Sequence, residues 1–336
     1  MDSITHIALG AIIGEALAGR QLGKKAMLLG AIAQSLPDVD FIASFWLDTA
    51  HDVAAHRGIT HSLLFVAVVS VLFAWLGRKW WPGAGMSFRK WWLFAVLELF
   101  IHIFLDAFNA YGTGWFEPFS HYRVSFNVLF VADPFFSIWL GVSLLALLFL
   151  RRASRRRQFW VLFGLILPCC YLYYCLLNKY RIDKWAEQSL QAHHIHYKRY
   201  FTTPTPLNNW LWYIVAEDSA GYHTGYMSLL ARERHATYHY FPRNDSLLGV
   251  LRSRPDVHAL MQFCQGYYTA EQWGDTLVFN DLRFGQIRGW EDGQARFVFH
   301  YYLQQPGENG VILQRGRFAG WNGQTLRTFI RKIEGE

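Results

Sequence analysis

All the long apolar runs of this chain lie in its first 177 residues, and that asymmetry constrains the fold more than any other feature. Six stretches, near 4–19, 26–47, 62–77, 91–108, 134–150 and 159–177, approach the roughly 20 apolar residues that a membrane crossing needs. Several are short, and Pro37-Asp38-Val39-Asp40 breaks the second. The expectation is an α-helical polytopic membrane domain over 1–177, with about six spans. Composition agrees. Charged residues make up 17% of the chain, against roughly 25% in a typical soluble protein. The 15 tryptophans suit a chain with two membrane interfaces to anchor. No basic region precedes Ile4 and no clear small-residue cleavage site follows, so a cleavable signal peptide is not expected.

Lysine and arginine set the expected orientation. Loop 20–25 carries Arg20, Lys24 and Lys25, loop 78–90 carries Arg78, Lys79, Arg89 and Lys90, and loop 151–158 carries five arginines. The alternate loops, 48–61 and 109–133, carry one each. With six spans the basic loops share one side, which the positive-inside rule makes cytoplasmic. The chain is then a multi-pass protein of the cell (inner) membrane, with its C-terminal domain outside. Lys179, Arg181 and Lys184, just past the last run, pull mildly the other way.

Residues 178–336 read as a soluble α+β domain. A helix is expected over 181–192 and another near 255–265. Strands are expected at Trp210–Ala216, Tyr222–Ala231, Ala236–Phe241, Thr276–Phe284 and Arg296–Gln304, where aromatic and β-branched residues alternate with turn signals. The net charge of +7 is spread over both halves, with no basic block of the kind that binds nucleic acid. Cys169, Cys170, Cys175 and Cys264 form no metal-binding pattern.

Ionisable residues inside membrane segments are costly and usually functional. Here they are patterned. His6, His51, His56, His61, His102 and His121 all fall at or near the outer side of the expected topology, as do Asp38, Asp40, Asp106 and Asp133. His102 and Asp106 are spaced i, i+4, so a helix puts both on one face, with Glu98 one turn deeper. Asp38 and Asp40 follow a proline, where backbone can line a cavity. His56-Arg57-Gly58-Ile59-Thr60-His61-Ser62 sets two histidines five apart across a glycine turn.

Imidazole and carboxylate form the ligand set of catalytic zinc and related ions. The surplus of candidates over one ion's needs suggests two metals, an arrangement suited to phosphoester cleavage. Arg57 or Thr60 would stabilise charge on a substrate oxygen. Simpler roles compete. His51 and His121 alone read as interface residues, Asp133-Pro134 alone reads as a helix cap, and His102 with Asp106 alone reads as a buried hydrogen-bonded pair. In the tail, His193-His194-x-His196 and His235-x-x-x-His239 read as surface or sheet-face histidines. Four residues along a strand would hold His235 and His239 about 13 Å apart, too far for one ion.

The run His56–Ser62, with Pro37-Asp38-Val39-Asp40 and His102-x-x-x-Asp106, resembles the signature of the LexA-regulated membrane-bound metal-dependent hydrolases over about residues 1–150. It resembles the zinc-dependent phospholipase C group more distantly. These resemblances imply a divalent-metal hydrolase with His6, Asp38, His56, His61, His102 and Asp106 as metal ligands. One or two ions are implied, zinc first, with manganese or magnesium as alternatives. The expected reaction is attack by metal-activated water on a phosphoester or lipid-linked substrate at the outer membrane surface, with Asp40 or Asp133 as general base. Membrane lipid and a small-molecule or lipid-linked substrate are the expected partners. Two other classes stay open: a transporter or channel with a His/Asp-lined path, and a structural metal site carrying a binding tail.

Overall fold

The computed structural model describes residues 1–304 and 321–336. The chain divides into two compact units. The first holds residues 1–43, 55–126 and 131–174; the second holds 44–54, 127–130 and 175–336.

The first unit is helical. Its elements are α1 (Ser3–Leu22), α2 (Lys24–Ser35), most of the 3-10 segment Pro37–Phe45, the 3-10 turn Ile59–His61, α4 (Leu63–Trp80), α5 (Phe88–Asp106) and α6 (Pro134–Phe149), followed by the first part of α7 (Arg156–Ala192); α3 (Thr49–Ala55) belongs to the second unit but for its last residue. Side chains cap these helices as their sequences allow. The backbone N–H of Thr5 donates to Asp2 at 3.0 Å, that of Phe65 to the Ser62 hydroxyl at 3.0 Å, and that of Phe135 to Asp133 at 2.9 Å. One residue, Gly23, joins α1 to α2 with φ of +62°, a conformation that only glycine adopts without strain.

The resulting hairpin closes tightly at Gly10 and Gly30. A Cβ on Gly10 would lie 2.5 Å from the Gly30 carbonyl oxygen and 2.5 Å from Cβ of Gln34. Small residues let helix backbones meet in this way. Ala18, Ala26, Leu29 and Ala33 of the hairpin pack against Ala74 of α4 and against Trp91 and Phe94 of α5.

Among the described residues, α4 and α7 are long and apolar enough to cross a membrane. Helix α2 and the Pro37–Phe45 segment, bent by 53°, make a third crossing if they form one broken span. The expectation of six spans is corrected to two or three. Helix α6 has only 16 residues. Helix α5 carries Arg89, Lys90, Glu98 and Asp106. In α1, eleven residues are buried, and in α5, nine. Their apolar character serves helix packing, whereas α4 leaves Val68, Val71, Leu72 and Trp75 half-exposed or more.

Helix α7 fuses the expected span at 159–177 with the expected helix at 181–192. Nothing between them breaks a helix, and Lys179 bridges the junction, donating to Asp183 at 2.9 Å and to the Thr202 carbonyl at 2.9 Å.

The second unit is α+β. Strands β1 (Arg199–Pro204), β2 (Leu211–Glu217), β3 (Gly221–Ser228) and β4 (Tyr238–Pro242) form one antiparallel sheet in that order. Strands β5 (Tyr268–Trp273), β6 (Thr276–Gln286) and β7 (Phe297–Tyr302) form another. Strand β2 is buried along its whole length, because both of its faces are covered. Trp212 and Ile214 pack with Ile182 and Ala186 of α7, while Tyr213 and Val215 pack with Leu282 and Phe297 of the second sheet. Short helices α8 (Asp245–Leu248) and α9 (Pro255–Phe263) follow β4, and α10 (Gly323–Glu334) lies near the chain's end. Sequence patterning located β2, β3, β4, β6, β7 and α9 to within a few residues. It missed β1, whose threonines and closing proline blur the pattern, and β5.

Candidate metal centre

Three elements bring four residues to one point in the first unit. The 3-10 segment after α2 supplies Asp38, the turn before α4 supplies His61, and α5 supplies His102 and Asp106 one turn apart. One ligand atom from each lies within 4.8 Å of the others. His61 Nε2 is 3.2 Å from His102 Nε2, 3.3 Å from Asp106 Oδ2 and 3.7 Å from Asp38 Oδ1. His102 Nε2 is 3.5 Å from Asp38 Oδ1 and 3.6 Å from Asp106 Oδ2. A tetrahedral ion with bonds of roughly 2.0–2.2 Å holds its donors about 3.3–3.6 Å apart. Three of the six edges of such a tetrahedron fall in that range, and two more, at 3.2 Å and 3.7 Å, lie just outside it.

The donor chemistry fits as well. Asp106 Oδ2 is buried and close to three side chains, yet it makes no hydrogen bond. Its neighbours converge on it by distance without a donor aligned to it, as ligands around a common centre do. Three carboxylates (Asp38, Asp40 and Asp106) face one guanidinium, Arg57. The Met1 α-amine is a further buried partner of Asp106. His61, His102 and Asp106 are fully buried, and Asp38 is partly exposed.

Outer contacts orient the ligands. His102 Nδ1 donates to the Gln34 carbonyl at 2.5 Å, which leaves Nε2 with the lone pair. His61 Nδ1 lies 3.1 Å from the Thr60 hydroxyl and 3.5 Å from Asp40 Oδ2. Burial pushes the His61 imidazole down to about 3, against a raising pull from Asp38, so near pH 7 it is a neutral ligand. His6 stacks on His102 with ring centroids 3.8 Å apart, and its Nε2 is 3.2 Å from Asp106 Oδ1.

The other residues singled out from sequence fall around this core. Asp40 accepts from the Arg57 backbone N–H at 2.7 Å and the Thr60 hydroxyl at 3.1 Å, and its Oδ1 is 3.1 Å from His56 Nδ1. It therefore folds the 56–61 loop, with Arg57 held at a φ of +58°. His56 stays outside the four-residue group, with its ring centroid 6.3 Å from that of His61. Arg57 donates to Asn109 Oδ1 at 2.8 Å and to the Met1 carbonyl at 3.2 Å, and its Nε lies 3.3 Å from Asp106. It positions Asp106 rather than facing outward. Asp133 is occupied at the N-terminus of α6, and Tyr171 donates to its other oxygen at 3.0 Å. His51 pairs with Asp48, and His121 with Glu117. In the tail, His193 Nδ1 donates to the Ser189 carbonyl at 2.8 Å, and β4 begins only after His235. The Gln34 carbonyl and the Asn109 amide had no signal in sequence, because neither residue belongs to a motif.

Two substitutions separate these roles. Asp40→Ala is expected to weaken metal binding by roughly 10–100-fold, the usual effect of losing an outer partner of a ligating histidine. Competition titration with a chromogenic chelator reads it. Asp133→Ala is expected to cost about 1 kcal/mol of thermal stability through the lost helix cap and to leave metal content unchanged. A fall in metal content would return Asp133 to the site.

A profile described as the YdjM inner membrane protein family matches residues 1–182. The chain is 37% identical over 123 residues to the inner membrane protein YbcI of Escherichia coli (strain K12), covering 36% of this chain and 69% of YbcI. It is 30% identical over 145 residues to the uncharacterized protein YfhP of Bacillus subtilis (strain 168), covering 41% of this chain and 43% of YfhP, less than half of that relative's length. No solved structure matches.

Proposed function

This chain belongs to the YdjM inner membrane protein family, and from that premise we propose that it is a divalent-metal-dependent hydrolase. Its substrate on this reading is a phosphoester or a lipid-linked molecule at the outer membrane surface. The observation that carries the proposal is the set of five convergent distances among Asp38, His61, His102 and Asp106. A divalent ion held there, zinc first, supplies Lewis acidity and lowers the pKa of water toward neutrality.

The protein's own groups do the rest. Asp38, on the exposed side of the cluster, leaves room for water and substrate. Asp40 fixes the His56 ring through Nδ1 and leaves Nε2 for an incoming group. On this reading His56 moves the proton, as an imidazole oriented by a carboxylate does, and Asp40, expected from sequence as the base, becomes its positioning residue. Basic residues support the outer location. Arg20, Lys24 and Lys25 join α1 to α2, Arg78 and Lys79 end α4, and Arg151–Arg157 precede α7. The site residues lie near the opposite ends of α1, α2 and α4, which supports an outer site under the positive-inside rule. On the same reading the C-terminal unit is extracytoplasmic.

Turnover of phosphomonoesters, phosphodiesters and phospholipids by purified protein, with zinc, manganese, magnesium or cobalt supplied, tests the proposal. His56→Ala is expected to lower turnover by roughly 10²–10⁴-fold while the ion stays bound. No hydrolysis with any of the four metals would overturn it. A second reading, an ion path, draws on Glu98 and Gln34, whose buried side-chain polar atoms lack hydrogen-bond partners one turn deeper than His102. It predicts metal-dependent flux into proteoliposomes without turnover.

A further inference from the structure

A cavity of about 890 Å³ adjoins the metal centre, between the outer ends of α1 and α2 and the Pro37–Phe45 segment. Its two ends differ in chemistry. Asp38, His56 and Arg57 line one end, and Asp38 belongs to the metal cluster itself. The rest of the lining is mainly apolar, with Asp2, Ser3 and Ser35 interspersed; its Ile7, Ile32 and Phe41 are exposed at 43%, 45% and 62%. Beside them on the same helices, Ile4 and Leu28 are more exposed still. In an inner membrane protein, an exposed apolar flank of this kind faces hydrocarbon. The cavity is therefore open to the bilayer at its apolar end and to the metal centre at its polar end, within the size range of small-molecule sites.

We infer that this cavity takes one alkyl chain of a bilayer lipid, entering sideways from the membrane, and sets the lipid's phosphoryl head beside His56 at the Asp38 end of the metal centre. The inference rests on the proposed hydrolase and names its substrate class as an amphiphile with a single chain held by the protein. Ala31, which also lines the cavity, stands where a larger side chain fills it. The lining is predominantly apolar, which favours a chain over a sugar or peptide. The polar end carries the His56 imidazole, which a phosphoryl oxygen can accept from.

A photoactivatable alkyl phosphocholine, with a diazirine near the end of its chain, tests the inference in detergent-purified full-length protein. Peptide mapping is expected to find label on Ile7 and Ile32 above the level on the lipid-facing Val68 and Leu72 of α4. Ala31→Trp is expected to reduce that label to the α4 level. Ile32→Trp, at a half-exposed position that does not threaten folding, is expected to do the same. Water-soluble phosphocholine in excess is expected not to displace the label, because the chain makes the contact. Equal labelling of the cavity and α4, or labelling unchanged in both variants, would overturn the inference. So would displacement by phosphocholine alone, which would reduce the site to a headgroup site. Selective labelling without hydrolysis would defeat the hydrolase reading and leave the chain site standing. Hydrolysis of phosphoesters without selective labelling would do the reverse.

Discussion

Gly30→Ala is expected to destabilise the first unit by about 3 kcal/mol, the upper end of the cost of overpacking, or to prevent recovery of folded protein. A Cβ there would overlap the Gly10 carbonyl oxygen and come within 2.8 Å of Glu98 Oε1. The first of these is backbone and cannot swing aside. Helices α1 and α2 would have to part, and the metal centre would go with them. His6 lies one turn from Gly10 on α1, and Gln34, whose carbonyl holds His102, lies one turn from Gly30 on α2. The variant is therefore expected to lose metal as well as stability. Gly141→Ala is the control. Nothing lies within 4 Å of a Cβ at that position in α6, and alanine in an exposed helix is favoured by up to about 1 kcal/mol. Thermal unfolding in detergent compares the two. Equal stability of Gly30→Ala and the parent would mean that the α1–α2 crossing is looser than described.

His102→Ala is expected to abolish metal binding without unfolding the chain. The loss of affinity should exceed the roughly 10–100-fold that removal of an outer partner costs, because the substitution takes away a ligand and frees the Gln34 carbonyl together. The helix should persist, since Trp91, Phe94, Leu99 and Ile103 of α5 remain buried against their neighbours. His61→Ala should behave alike, with Val66 and Ser62 still anchoring the start of α4. Equilibrium dialysis measures the affinity, and circular dichroism checks that helix content is kept. A folded His102→Ala that binds metal as the parent does would remove α5 from the site.

Much of the site was legible in sequence because its chemistry is carried by short spacings. His102 and Asp106 one helical turn apart share a face whatever the tertiary structure. A proline before Asp38 and Asp40 forces a break that frees those carboxylates from helix packing. Spacing does not say which atom finds which partner. Asp38 and Asp40 are two apart on a 3-10 segment, so one reaches the cluster and the other the 56–61 loop. The same applies to His56 and His61. Hydropathy misled in a different way. The apolar runs at 4–19 and 91–108 read as spans, yet α1 and α5 use those residues to bury helix faces and carry the buried His6, Glu98, His102 and Asp106. An apolar run alone does not distinguish lipid contact from helix contact. In the second unit, β2 was legible because seven consecutive residues suit a strand covered on both faces, while β1 gave no such run.

The measurement that tests the central claim most directly is the X-ray absorption spectrum of the ion bound to the purified, full-length protein, with its stoichiometry. The account predicts a single filled site whose nearest shell is nitrogen and oxygen at roughly 2.0–2.2 Å, with no sulfur. The imidazole scattering should weaken in His61→Ala. Protein that binds none of zinc, manganese, magnesium or cobalt would contradict it, as would an ion bound through cysteine sulfur.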